Sequence, residues 1–463
     1  MTAKLNSFEP EFINQQILQR FELRKSQLKN LVSIPSIAWD AYDAKHLWKS
    51  ADEVAKLFAS LDFFDEVRVV AASKFEKAAP AVLAKRAAKN GKPQVLLYAH
   101  HDVQPVGDES LWLSSPFDAE ERAGRLYGRG AADDKAGILV HLESLATLIE
   151  NETDPDLGIT LFIEGEEEAG SPSFDDFLDE HRELLASDVI IVADSGNWTT
   201  EIPALTTSLR GLVSQTIKLS TLDHALHSGM YGGAVPDSVT AMVRLLASLH
   251  HQDGSVAIEG LVENEAADID YSDQQLAEDS GLLPGVGQLG TGSILSRLWT
   301  KPAVTILAID APSVAEASNT LQPSTRAKVS LRIAPGEQPQ RALNLLREHL
   351  LKHVPFGAQL EFEDFEAGDP YLDHPGWAKE LAAHSLELSF GLAPIDMGVG
   401  GSIPFIAKFK EVYPQAQILV TGVEDPDSRA HSPNESLHLE SFRKAMLAQS
   451  LFLLQANQLR LGE

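Results

Sequence analysis

Short, nearly unbroken apolar runs separated by stretches of helical spacing set the architecture open to this chain. Residues 95–98, 159–163 and 189–192 are rich in Val, Ile, Leu and Phe and too short for helices, the pattern of strands buried on both faces. Between the second and the first of them, apolar residues recur at three- and four-residue steps, as at Leu139, Leu142, Leu145 and Ile149. Strands alternating with helices in this way imply an α/β layer with a mostly parallel central sheet flanked by helices.

The texture changes near Thr206. Val213, Gln215, Ile217 and Leu219 lie in a segment of alternating character, and so do Ala327, Val329, Leu331 and Ile333, as expected of half-buried strands. Each precedes a helical stretch, at 238–249 and 338–349, so a smaller α+β domain is expected to interrupt the larger one. Residues 259–292 begin acidic and end glycine-rich, with Gly285, Gly287, Gly290 and Gly292 close together, and read as an ordered loop or excursion of that inserted domain. Amphipathic helices at 12–31 and 47–61 open the chain, while a helix at 377–389, a strand at 418–420 and a helix at 440–453 return to the first domain. A chain of 463 residues exceeds one ordinary core. The expected division is 1–206 with 372–463 as the larger domain and 207–371 as the insertion.

Charge and composition remove several function classes. With 38 Lys and Arg against 67 Asp and Glu, a net charge of -29 repels nucleic acid and anionic lipid. There is no cysteine, which excludes disulfides, a thiolate nucleophile and cysteine-ligated metals. Any metal must be held by His, Asp and Glu. Charges run through the first 24 residues, no apolar leader core stands there, and no stretch reaches the length of a membrane span, so a cytoplasmic protein is expected.

Five segments concentrate His, Asp and Glu, mostly where strands end or helices begin. They are His100-His101-Asp102, Asp133-Asp134 opening a helix, Glu164-Gly165-Glu166-Glu167-Glu168, Asp194, and Ser428-Arg429-Ala430-His431 through Glu435. In α/β sheets ligands gather at the carboxyl ends of strands. Taken singly each segment has an ordinary structural explanation: Asp134, for instance, suits a helix N-cap. Four of the five coinciding at strand edges or a helix start are not explained by solvated surface acids.

Together these segments resemble the carnosinase and aminoacylase group of metallohydrolases, in particular its bacterial dipeptidase branch. The resemblance rests on His-x-Asp at His100 and Asp102, Tyr127-Gly128-Arg129-Gly130 followed by Asp133, Glu164-Gly165-Glu166-Glu167-Glu168, then Asp194 and His431, in family order over essentially the whole chain. It implies that His100, Asp133 and Asp194 hold one divalent metal and Asp133, Glu168 and His431 a second, with Asp133 bridging. Imidazole and carboxylate donors suit Zn²⁺ and also accept Mn²⁺ or Co²⁺. Asp102 then corresponds to the acid that orients His100, and Glu167 to the general base that takes a proton from water and later delivers it to the leaving amine. His101 can compete with His100, and Glu166 with Glu167. Family spacing favours His100, register against Gly165 and Gly170 favours Glu167 and Glu168, and Glu166 reads as solvated.

The inserted domain resembles the lid of the same group. His227, in Leu226-His227-Ser228-Gly229, corresponds to a histidine that reaches the partner subunit's active site and hydrogen-bonds the substrate carbonyl. The resemblance therefore implies a homodimer formed through the lid. Arg332 corresponds to the arginine that receives the substrate's terminal carboxylate, with Asn319 nearby. Gly400, Gly401 and Ser402 correspond to a glycine-rich loop offering backbone donors there. One departure stands out: many dipeptidases carry Arg-Glu before this loop where the present chain has Gly398-Val399, which puts in question the need for a free substrate amine. The implied activity is metal-dependent hydrolysis of the amide bond of dipeptides or similar small peptide-like substrates. The alternative keeps the metals and changes the substrate, as an N-acyl-amino-acid deacylase or a carboxypeptidase releasing single residues. A Ser/His/Asp hydrolase finds no Gly-x-Ser-x-Gly elbow after a strand.

Overall fold

The computed structural model describes residues 9–266, 269–401 and 404–461. They group into two compact units. The first comprises the residues up to Thr207, Asp373–Met397 and those from Lys408 on; the second comprises Ser208–Leu372 and Gly398–Ala407.

The first unit opens with helices α1 (Pro10–Val32) and α2 (Lys45–Ala59), followed by strands β1 (Val67–Val70), β2 (Ala81–Arg86) and β3 (Gln94–His100). Helix α3 (Lys135–Asn151), β4 (Gly158–Glu164), α4 (Phe174–Leu185), β5 (Val189–Val192) and β6 (Ala204–Leu209) follow. In the sheet, β4, β3, β5 and the later strand at Gln417–Val420 lie side by side and parallel. Strands β2 and β1 continue it antiparallel beyond β4. The central strands are buried along almost their whole length, which explains their unbroken apolar runs. β1 and β2 escape sequence reading because β1 is half-buried throughout and β2 ends in Lys85 and Arg86.

Helix α3 is buried on most of its circumference, packed against β3, α1 and the last helix of the chain. Its one buried acid, Glu143, meets Arg24 at 2.7 Å and Arg20 at 2.6 Å, both from α1. Helix α1 is anchored there by a hydrophobic stripe of Ile13, Ile17, Leu28 and Leu31. This packing fixes the start of α3, and with it Asp133, against the carboxyl end of β3.

The second unit is a four-stranded antiparallel sheet with two helices on it. Its strands are β7 (Gly211–Ser220), β8 (Ala303–Asp310), β9 (Ser324–Ile333) and β10 (Gln359–Gly368), in the order β8-β9-β7-β10. Helices α5 (Ser238–Ala247) and α6 (Pro339–Lys352) cover the buried face. The two inner strands carry the alternating pattern read from sequence. The edge strands β8 and β10 are exposed along much of their length, and acids in β10 mask its alternation. The segment 259–292 contains a short helix, Asp273–Ser280. Back in the first unit, α7 (Trp377–Phe390), β11 (Gln417–Val420) and α8 (Leu439–Ala456) complete the layers. Among the described residues no helix is long and apolar enough to cross a membrane.

Candidate metal centre

Four parallel strands end at one edge of the sheet, and the acids and histidines follow those ends. His100 is the last residue of β3 and Asp194 lies two residues beyond β5. Asp133 precedes α3, Glu168 lies in a single 3-10 turn after β4, and His431 in the loop between β11 and α8. His100, Asp133 and Asp194 present ligand atoms within 4.8 Å of one another, and so do Asp133, Glu168 and His431. His100 Nε2 is 3.1 Å from Asp133 Oδ1 and 3.9 Å from Asp194 Oδ1. His431 Nε2 is 3.0 Å from Asp133 Oδ2 and 3.1 Å from Glu168 Oε2. Asp133 thus faces one triad with each oxygen.

Neighbouring groups hold these donors in place. Asp102 is fully buried; its Oδ1 lies 3.4 Å from His100 Nδ1, and its two oxygens accept the backbone N–H groups of Glu167 and Glu168 at 3.2 and 3.1 Å. Asp102 therefore orients the imidazole, with its main-chain carbonyl oxygen 3.2 Å from Nδ1, and its carboxylate pins the turn that presents both glutamates. Gly165, just before that turn, has to be glycine: a Cβ there would lie 2.3 Å from the Pro80 carbonyl oxygen and 2.8 Å from His101 Nε2. Asp134 stands at the α3 N-cap without capping it; instead its Oδ2 accepts the backbone N–H of His100 at 3.2 Å. His431 has φ 62°, and Arg429 and Asn434 are also left-handed, three such non-glycine residues in one loop. Strain of this kind concentrates where a side chain must be presented in one direction.

Two expectations about competing residues resolve. His101 is buried but faces away from the triads: its Nε2 bonds the Pro80 carbonyl at 2.8 Å, and burial lowers its pKa to about 4, so it stays neutral. Glu166 is not solvated. It is 5% exposed, and its oxygens accept N–H groups from Ser173 at 2.7 Å and Ala79 at 3.0 Å, so it ties the turn to its surroundings. The run of glutamates reads as a solvated face in sequence because those partners are distant or main-chain.

The electrostatics fit a bound cation. Burial works against ionisation of Asp133, but hydrogen bonds from His100 and His431 outweigh it and hold its carboxyl well below the usual range. Burial pushes Asp194 up to about 7. Hydrogen bonds to Asp133 and Glu168 push His431 up to about 11. Glu167 is raised well above the usual carboxylate range, by burial first and by Asp194 next. No Lys or Arg pairs with the five donor residues among those described, so their negative charge calls for protons or a bound cation to balance it. Divalent ions bound by imidazole nitrogen and carboxylate oxygen displace such protons, and the donor chemistry suits zinc, manganese or cobalt.

Several residues without an assigned role in sequence reading support this centre. Glu435 is fully buried and accepts from the N–H groups of Gly130 and Ala132 at 3.0 Å and of Asp133 at 3.2 Å, while Arg129 Nη1 donates to it at 2.6 Å. It clamps the loop that carries Asp133 to the loop that carries His431. Gln104 Nε2 donates to Glu168 Oε2 at 2.8 Å. Glu424 is half-buried near these acids, its carboxyl raised well above its usual range by desolvation and then by Asp133 and Asp194. Glu435→Ala should cost about 3–5 kcal/mol, because it leaves Arg129 buried without its counter-charge. Denaturant unfolding of the metal-free protein checks this, and a loss below about 1 kcal/mol would mean that the pair is not an anchor.

The remaining predicted site residues belong to the second unit. His227 is exposed, in a two-residue strand paired with Thr320, and its Nδ1 accepts the N–H of Gly229 at 3.1 Å. Asn319 is adjacent, its carbonyl accepting the N–H of Ser228 at 2.9 Å. Arg332 is half-buried on β9, opposite Leu212. The Gly400 carbonyl accepts from Arg210, a contact with no signal in the sequence, and Gly401 follows it. Ser402 lies outside the described residues.

The family model of peptidase family M20/M25/M40 matches residues 96–455. The cysteinylglycine-S-conjugate dipeptidase of Corynebacterium striatum is 33% identical over 368 residues, covering 78% of this chain and 81% of that protein. The Cys-Gly metallodipeptidase dug1 of Schizosaccharomyces pombe is 27% identical over 447 residues, covering 91% and 93%. Among solved structures, human carnosine dipeptidase 1 has a similar fold, with a TM-score of 0.79 at 23% identity over 98% of this chain and 100% of that one.

Proposed function

The chain belongs to peptidase family M20/M25/M40, and on that premise we propose that it is a metal-dependent hydrolase of the amide bond in dipeptides and similar small peptide-like substrates. The observation that carries this reading is the pair of triads sharing Asp133. His100, Asp133 and Asp194 would hold one divalent ion, and Asp133, Glu168 and His431 the other, zinc being the ion that the donors suit best. When bound, such a pair supplies Lewis acidity and lowers the pKa of the attacking water.

The chain's own groups do the rest. Asp102 keeps His100 in one orientation. Glu167 accepts a proton from the attacking water at its carboxylate and passes it to the departing amide nitrogen. The catalytic residues come from the larger domain, 1–206 with 372–463 apart from the segment 398–407, which groups with the smaller unit, and 207–371 forms the lid and dimer contact. From the partner subunit, the imidazole of His227 hydrogen-bonds the substrate carbonyl oxygen, where negative charge develops. Arg332 receives the terminal carboxylate, with Asn319 and the Gly400-Gly401-Ser402 loop beside it.

Relatives named as Cys-Gly and β-Ala-His dipeptidases support dipeptides over N-acyl amino acids. The test is a panel of free dipeptides, N-acetylated dipeptides and N-acetyl amino acids, assayed with Zn²⁺ and with Mn²⁺. Free dipeptides should be the best substrates. Preference for N-acetyl amino acids would make the protein a deacylase, and release of single residues from longer N-blocked peptides would make it a carboxypeptidase. Val399 makes the comparison of free with N-acetylated dipeptides informative, since no acid stands at that position to meet an amine.

A further inference from the structure

The second unit contains a buried cation whose partners among the described residues are all neutral. Arg210, between β6 and β7, is only 9% exposed. Its Nε donates to the Gly400 carbonyl at 3.2 Å, and its Nη1 donates to the carbonyls of Arg297 and Lys301, both at 3.3 Å. Among the described residues no carboxylate pairs with it. Nη2 lies against Gly400, where a Cβ would come within 2.5 Å of it and 2.9 Å of the Leu298 carbonyl oxygen, so a side chain at 400 would displace the guanidinium or the backbone. Arg332 stands on the neighbouring strand opposite Leu212, two residues from Arg210 along the chain. Burial first, and the positive charge of Arg332 next, lower the Arg210 pKa to about 10.

Desolvating a guanidinium is unfavourable, and a second like charge beside it adds to the cost. Three carbonyl dipoles offset part of this but leave the net charge in place. An anion beside the two arginines would balance it, and a planar carboxylate matches guanidinium geometry.

We propose that Arg210 is a positioning residue for the substrate's terminal carboxylate: it locks the Gly398–Gly401 loop to the 297–301 segment beside Arg332 and adds the second positive charge that makes this corner select an anion. The proposal rests on the reading that Arg332 receives that carboxylate. It adds a residue that the motifs do not mark and a reason for glycine at position 400.

The test compares one dipeptide with its C-terminal amide in the metal-loaded wild-type enzyme and in Arg332→Gln, Arg210→Met and Arg210→Lys. Wild type should favour the free carboxylate strongly, and Arg332→Gln should remove the preference. Arg210→Met should raise KM for the free dipeptide at least about 10-fold, the weight of a charge-assisted hydrogen-bonded contact, change kcat little, and shrink the carboxylate-to-amide ratio. Arg210→Lys, which keeps the charge and loses the fork, should fall between. A wild type indifferent to the amide would sink the carboxylate reading itself, and this proposal with it. If wild type discriminates and Arg332→Gln does not, but Arg210→Met keeps the ratio or loses only kcat, the Arg210 proposal alone is overturned. Failure of both Arg210 variants to show a folded melting transition would also overturn it, since Arg210 would then be a folding residue.

Discussion

Glu167→Gln is expected to lower turnover by about 10² to 10⁴ while leaving fold and metal content intact. The amide occupies the same space but cannot accept the proton of the attacking water. Its neighbour makes the experiment discriminating. Glu166 is committed to Ser173 and Ala79 through both of its oxygens, so Glu166→Gln should act on stability through the lost contacts, with a much smaller effect on turnover per folded molecule. Steady-state kinetics on both variants, with bound metal measured in parallel, separate the two. If Glu167→Gln stays within a few-fold of wild type while Glu166→Gln is dead, the proton carrier has been assigned to the wrong glutamate. If Glu167→Gln loses metal, the residue is a ligand and not a base.

His227→Ala should cost roughly 10² to 10³ in turnover, the weight of one donor to a developing oxyanion. The exposure of His227 on its own unit and its neutral partner, the N–H of Gly229, leave the imidazole available to a substrate. Because the histidine is proposed to act on the partner subunit's site, two inactive variants should rescue each other. Mixing Glu167→Gln with His227→Ala under conditions that exchange subunits yields heterodimers in which one site has an intact Glu167 from one chain and an intact His227 from the other. Activity should recover in part. Absence of recovery, with exchange proven by mass, would place His227 in its own subunit's site or outside catalysis.

The central strands and the centre they carry were legible because both are local in sequence. A strand buried on two faces writes itself as an apolar run, and its exit places His100 and Asp194 at positions countable from that run. The residues that hold the centre together were not legible, since their partners are remote. Arg129 and Glu435 are 306 positions apart, and nothing near either signals the other. Arg210 is silent for a similar reason: its partners are backbone carbonyls, which every residue type supplies. Glu166 misled because a run of three glutamates shows charge but not the enclosed amide groups that receive one of them. The edge strands β8 and β10 were missed since exposure weakens the alternation that identifies a half-buried strand.

Asp133 is proposed to serve two ions at once, and metal stoichiometry tests that most directly. Elemental analysis of protein equilibrated with Zn²⁺ or Mn²⁺ and freed of excess should give two ions per chain, with activity lost on chelation and restored on readdition. Asp194→Asn and Glu168→Gln should each weaken mainly one ion, whereas Asp133→Asn should weaken both, because its two oxygens face separate triads. A single ion at saturating supply, or an Asp133→Asn variant that keeps both with unchanged affinity, would contradict a dinuclear centre bridged by this residue.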